Sequence, residues 1–121
     1  MAKILIVDDS RTIRQQVSFT LTKGGHTVVE AEGGLKGIEA LKSHPDISMV
    51  VSDVNMPNMN GLEMLEAIQK DGTINHVPVV MLTTEGAAEL LARAKSAGAK
   101  GWLVKPFKPE QLIAVVQKLT T

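Results

Sequence analysis

Short apolar runs alternate along this 121-residue chain with longer segments whose apolar positions recur every three or four residues. Ile4–Val7 is a continuous β-branched-rich run, the pattern of a strand buried on both faces. Thr27–Ala31, Ser48–Ser52, Val77–Leu82 and Gly101–Val104 predict four further strands. Between them, Ile13, Val17 and Leu21 make a helical stripe that Ser10 can cap and Gly24-Gly25 can stop. Leu35, Ile38 and Leu41 make a second, ended by His44-Pro45. Leu62, Leu65 and Ile68 make a third, opened by Asn60-Gly61 and closed by Asp71-Gly72. Leu90, Leu91, Ala94 and Ala97 make a fourth, stopped by Gly98. Leu112, Val115, Val116 and Leu119 have the spacing of a helix docked along one face.

Strands alternating with helices imply a parallel sheet, because each crossover must carry the chain back across it. Right-handed crossovers then put helices on both faces, an α/β/α sandwich of three layers. For five strands the expectation is the flavodoxin-like, doubly wound order 2-1-3-4-5. The whole of 1–121 reads as one domain, a common size for a single core.

Composition narrows the partners. Hydrophobic residues make up 44% of the chain and charged ones 21%, and the formal net charge is zero. A nucleic-acid binder would show a basic excess, so no such partner is expected. With no cysteine, disulfide and thiolate chemistry are excluded. The apolar run at Ile4–Val7 is too short for a secretion signal or a membrane span, and the expectation is a cytoplasmic protein with no membrane partner.

In an open parallel sheet, ligands bind beyond the carboxyl ends of the strands, near the switch in strand order. The residues there are Asp8-Asp9-Ser10, Asp53-Val54-Asn55-Met56-Pro57, Thr83-Thr84-Glu85 and Lys105-Pro106-Phe107. With the first and third strands adjacent, Asp8, Asp9 and Asp53 converge. Three carboxylates in one cleft repel, and a hard divalent cation relieves the conflict. All-oxygen donors with no nearby Cys or His favour Mg²⁺ over Zn²⁺. Three carboxylates, one Mg²⁺ and Lys105 cancel in charge. Converting Asp53 to an acyl phosphate would take its charge from −1 to about −2, a surplus able to draw in the Lys105 ammonium and the Thr83 hydroxyl. Each feature also has an ordinary reading: a helix cap for Asp8-Asp9-Ser10, a turn for Asp53–Pro57, a strand end for Thr83, a solvated cation for Lys105. Their coincidence at one edge of the sheet favours the functional reading.

Asp8-Asp9, Asp53 followed by Asn55, the Met56-Pro57…Asn60-Gly61 loop, Thr83 and Lys105-Pro106-Phe107 together resemble the receiver domain of two-component response regulators, over essentially the whole chain. The resemblance implies the same 2-1-3-4-5 order, of which one member of that family is a standard example. The resemblance implies that Asp53 is the phosphoacceptor and that Asp9, Asp53 and the Asn55 carbonyl ligate Mg²⁺, with Asp8 acting through water. It further implies Thr83 as switch hydroxyl, Lys105 as phosphate-binding cation, and a cis Lys105-Pro106 bond. Asn55 and Glu85 would tune the phosphoryl lifetime. Because the chain closes two residues past its last helical stripe, no output domain is expected, as in stand-alone, chemotaxis-type members. Trp102 stands where the family's switch aromatic is usually Tyr or Phe. It is expected near the fourth helix, on an output face with Leu91, Lys95, Val104 and Lys118. The implied partners are a histidine kinase, an effector such as a flagellar motor switch component, and a phosphatase, with the chain itself monomeric and not an enzyme. A phosphorelay shuttle, a phosphate sink and a phosphorylation-independent pseudo-receiver are the alternatives.

Two other classes share parts of this pattern. A flavin carrier would need donors after the first strand, where Asp8-Asp9 would repel its phosphate, and aromatics are confined to Phe19, Trp102 and Phe107. An aspartate-nucleophile phosphatase would use an acid two residues past the nucleophile, where Asn55 stands. His26, His44 and His76 fall in predicted turns away from the acidic edge.

Overall fold

Each apolar run becomes a strand and each periodic segment a helix in the computed structural model, which describes residues 2–54, 56, 59–83 and 88–120. The strands are β1 (Lys3–Val7), β2 (Thr27–Ala31), β3 (Met49–Asp53), β4 (Val79–Thr83) and β5 (Gly101–Val104). The helices are α1 (Arg11–Lys23), α2 (Gly34–Ser43), α3 (Gly61–Lys70), α4 (Ala88–Ser96) and α5 (Pro109–Thr120). All strand pairs are parallel, in the order β2-β1-β3-β4-β5 expected from the sequence.

The central strands are apolar except at their ends because both faces are covered. Leu5, Val7, Val50, Val79 and Met81 face one core, closed by Leu41 of α2, Leu62, Leu65 and Ile68 of α3, and Ala94 of α4. Ile4, Ile6, Met49, Val51, Val80 and Leu82 face the other, closed by Val17 and Leu21 of α1 and Leu112 and Val116 of α5. The amphipathic stripes thus divide cleanly, with α2, α3 and α4 on one side and α1 and α5 on the other. None of the helices among the described residues is long and apolar enough to cross a membrane.

Two strands start later than their apolar runs. Ser48 directs both its N–H and its Oγ to the Lys3 carbonyl (2.8 and 3.2 Å), so β3 begins at Met49. Pro78 has no N–H to donate, and Val77 donates to Ile74 in the preceding turn, so β4 begins at Val79. Both strands also run one residue further than their apolar pattern. Asp53 and Thr83 are the last residues of β3 and β4 rather than loop residues beyond them, and both are buried.

The caps follow the local chemistry. Ser10 accepts from the Ile13 N–H (3.3 Å) at the start of α1. Asn60 and Glu63 form a reciprocal capping box at the start of α3 (2.8 and 3.0 Å), an arrangement typically worth about 1 kcal/mol. At the end of α3, Asp71 accepts from the hydroxyl (2.6 Å) and N–H (3.0 Å) of Thr73, and Lys42 sits 3.2 Å from its other oxygen. The Thr73 donors first, then Lys42, lower the Asp71 pKa from 3.8 to about 2. A carboxyl with a depressed folded pKa stabilises the fold above its unfolded pKa and loses that contribution as pH falls. Thr73→Val should therefore be less stable than wild type at neutral pH, with the gap closing between 3.8 and about 2, as read by denaturant unfolding across that range.

The histidines lie, as expected, in turns ahead of the strands. The His26 Nδ1 accepts from the Ala2 N–H (3.1 Å), the His44 Nδ1 lies 3.2 Å from the Lys3 ammonium, and His76 is exposed.

Candidate functional site

The carboxyl ends of β1, β3, β4 and β5 bring Asp8, Asp53, Thr83 and Lys105 to one edge of the sheet. Asp8 follows β1 directly and is 1% exposed, while Asp53 is 6% exposed. Burying carboxylates this deeply requires partners. The Lys105 ammonium supplies one to both, 3.4 Å from Asp8 Oδ2 and 3.2 Å from Asp53 Oδ1. The other Asp8 oxygen accepts from the Ser10 N–H (2.8 Å). Asp9 is exposed and completes the group: one carboxylate oxygen from each of Asp8, Asp9 and Asp53 lies within 4.8 Å of the others.

Backbone contacts hold this constellation in place. The Asp8 N–H donates to the Ala31 carbonyl (3.1 Å), tying it to the end of β2. Val54 donates to Leu82 (3.1 Å), and Gly61 donates to Val54 (2.9 Å), bringing the start of α3 against the end of β3. A Cβ on Gly61 would lie 2.1 Å from the Asp53 carbonyl oxygen and 2.8 Å from the Met81 methyl, so only glycine fits. The Lys105 N–H donates to the Thr83 carbonyl (2.6 Å), which fixes the root of the lysine beside the buried threonine. The Lys105-Pro106 peptide is cis, as the family resemblance implies.

Grooves flank this edge. One of about 480 Å³ runs beside Asp9 and is lined by Glu32, Gly33, Gly34, Leu35, Lys36 and Met59. A more apolar one of about 510 Å³ begins at Lys105 and Phe107 and passes Ile13 and the exposed Phe19 of α1.

The structure therefore brings together Asp8, Asp9, Asp53 and Lys105, with Thr83 at the neighbouring strand end. Asn55 and Glu85 lie outside the described residues. Trp102 pairs in register with Met81 and shares its sheet face, the side carrying α2, α3 and α4, where it is 38% exposed. Val104, two residues on, is also exposed. The pattern of the sequence does not single out Arg14, yet its Nη1 donates to the Asp8 carbonyl (2.6 Å) and its Nε to Glu30 (3.3 Å). An arginine on an exposed helical face reads as solvated, and only the fold reveals that it turns back to the site.

The all-oxygen donor set, with a lysine as counter-charge, suits a hard divalent ion. Residues 4–117 match the family model for the response regulator receiver domain. The chain belongs to this family. This receiver domain is of the chemotaxis, CheY-like type. It is 40% identical over 111 residues to a chemotaxis protein CheY homolog of Campylobacter jejuni, covering 91% of this chain and 85% of that one. It is 39% identical to chemotaxis protein CheY1 of Helicobacter pylori, covering 91% and 90%. Among solved structures, chemotaxis protein CheY4 of Vibrio cholerae superposes with a TM-score of 0.92 at 42% identity, covering 98% of both chains. Receiver domains bind Mg²⁺ at an acidic cluster, and Asp8, Asp9 and Asp53 form such a cluster here.

Proposed function

We propose that this receiver domain is a phosphorylation-driven switch in which Asp53 takes a phosphoryl group from a histidine kinase and, once modified, alters the surface offered to a partner. The observation that carries the reading is the state of Asp53: a buried carboxylate, ion-paired to Lys105 and grouped with two further acids at the open edge of the sheet. A structural aspartate at a strand end gains nothing from like-charged neighbours, whereas a phosphoacceptor that works with a divalent ion requires them.

An Asp53 carboxylate oxygen attacks the phosphorus of a phosphohistidine, the P–N bond breaks with its electron pair staying on the imidazole, and Asp53 becomes an acyl phosphate. The protein's contribution is positioning and charge neutralisation. Lys105, already 3.2 Å from Asp53, follows the charge onto the phosphoryl oxygens. Asp9, Asp53 and the Asn55 carbonyl, with Asp8 through water, would hold Mg²⁺, whose charge offsets the meeting of two anions. Thr83 is the switch hydroxyl. Its backbone link to Lys105 joins the phosphoryl site to β5, where Trp102 and Val104 stand exposed. The output face is then α4, β5 and α5, with Leu91, Lys95, Trp102, Val104 and Lys118. The proposed setting is cytoplasmic chemotaxis or motility signalling by a monomer, with a motor switch component as effector and a phosphatase in the circuit.

Loss of the phosphoryl group needs a water in line with the new bond, and Asn55 and Glu85 are the side chains proposed to admit or orient it. Asn55→Ala and Glu85→Ala should each change the decay rate of the phosphorylated form by severalfold, about 1 kcal/mol in barrier. Unchanged decay in both would remove these residues from the mechanism.

Acetyl phosphate with Mg²⁺ tests the reading by intact mass. Wild type should gain about 80 Da, the mass of one phosphoryl group, and Asp53→Asn should gain none. A pseudo-receiver would remain unmodified, and its signalling would survive Asp53→Ala.

A further inference from the structure

We propose that Arg14 is a positioning residue for the acidic site: its guanidinium grips the Asp8 carbonyl and so sets the direction in which Asp9 presents its carboxylate. The inference rests on the phosphoryl-switch reading and concerns how the site is kept in shape.

Asp8 is held at four separate points. Its N–H donates to Ala31, its Oδ1 accepts from the Ser10 N–H, its Oδ2 pairs with Lys105, and its carbonyl accepts from Arg14. The last of these is the shortest, at 2.6 Å, and it is a charge-assisted bond. It is also the contact that fixes the peptide plane between Asp8 and Asp9. Asp8 is packed in the protein and needs little help to stay in place, whereas Asp9 is exposed, so the orientation of the peptide preceding it decides where its carboxylate points. Arg14 is suited to this task because it is itself anchored. Its side chain is 14% exposed, and its Nε pairs with Glu30 on β2 at 3.3 Å. The guanidinium reaches the Asp8 carbonyl through Nη1 and Glu30 through Nε, two donors set apart on one rigid plane, where a lysine would offer a single nitrogen.

The proposal predicts an effect opposite in sign to that of charge alone. Arg14 is a cation near an acidic cluster, so its removal by a purely electrostatic argument would strengthen binding of a divalent cation. If Arg14 aims Asp9, its removal weakens binding. Outer partners that orient metal ligands typically contribute about tenfold or more to affinity, and a loss of about tenfold is expected for Arg14→Met, which keeps an apolar stem in place of the lost donors.

The measurement is Mg²⁺ titration of the full chain by calorimetry, with thermal unfolding recorded alongside. Arg14→Met should bind Mg²⁺ about tenfold more weakly than wild type. Equal or tighter binding overturns the proposal. Arg14→Lys keeps the formal charge but puts one nitrogen in place of the two separated donors that reach Asp8 and Glu30. It should fall between wild type and Arg14→Met, and it decides the matter if the methionine variant does not fold: weaker binding at constant charge supports positioning, and unchanged binding overturns it. Failure of wild type itself to bind Mg²⁺ would instead strike at the switch reading, so the two failures are distinct.

Discussion

Gly61→Ala should destabilise the fold by about 3 kcal/mol or more and slow phosphorylation of Asp53 at the same time. The added methyl would lie 2.1 Å from the Asp53 carbonyl oxygen, far inside contact distance, and that oxygen belongs to the last residue of a central strand. No flexible side chain can yield there. Either α3 moves away, opening the core around Leu62 and Leu65, or the end of β3 moves and carries Asp53 with it. Gly72→Ala is the control. A Cβ there meets nothing within 4 Å, so its stability should stay close to wild type. Denaturant unfolding of both variants checks the first effect, and the rate of acetyl phosphate labelling checks the second. A Gly61→Ala protein of wild-type stability would mean that the helix start and strand end are not in the contact described.

Lys105→Met should have the largest effect on chemistry. Lys105 is the cation shared by Asp8 and Asp53, and both acids are nearly excluded from water. Removing one partner of a buried ion pair leaves charge uncompensated, at a typical cost of about 3 kcal/mol. The cost should shrink as Mg²⁺ is added, because a divalent cation replaces the lost charge. The reaction does not recover in the same way. The group that would follow charge onto the phosphoryl oxygens is gone, and losing one such donor typically lowers rate by about a hundredfold. Stability measured with and without Mg²⁺, set against labelling rate at saturating Mg²⁺, separates the two contributions.

Much of this architecture is legible in the pattern of apolar residues. Runs such as Ile4–Val7 and stripes such as Leu112, Val115, Val116 and Leu119 report the two periodicities that a sheet with both faces covered imposes. Strand order comes from size and resemblance, and the observed β2-β1-β3-β4-β5 agrees. Strand ends are harder to read, because hydrogen bonding, not hydropathy, decides them. Pro78 and Ser48 shorten the starts of β4 and β3. Asp53 and Thr83 extend the strands past their apolar runs because a polar residue at the rim can keep ladder geometry, Asp53 in register with Leu82 and Thr83 with Val104.

The acids and the lysine are legible because four strand ends in a parallel sheet must meet at one edge. Arg14 and Gly61 are not. Each matters through a single close approach between segments distant in the chain, the guanidinium to the Asp8 carbonyl and the glycine to the Asp53 carbonyl. Such approaches depend on where helices settle on the sheet, to within about an ångström, which periodicity does not encode.

The claim on which the account depends is that Asp53 carries the phosphoryl group. Borohydride reduces an acyl phosphate to the alcohol and leaves a permanent mark on the residue that bore it. Treating the protein with acetyl phosphate and Mg²⁺, reducing it, and mapping peptides should find homoserine at position 53. Homoserine at position 8 or 9 instead, or a protein left unreduced throughout, would contradict the account.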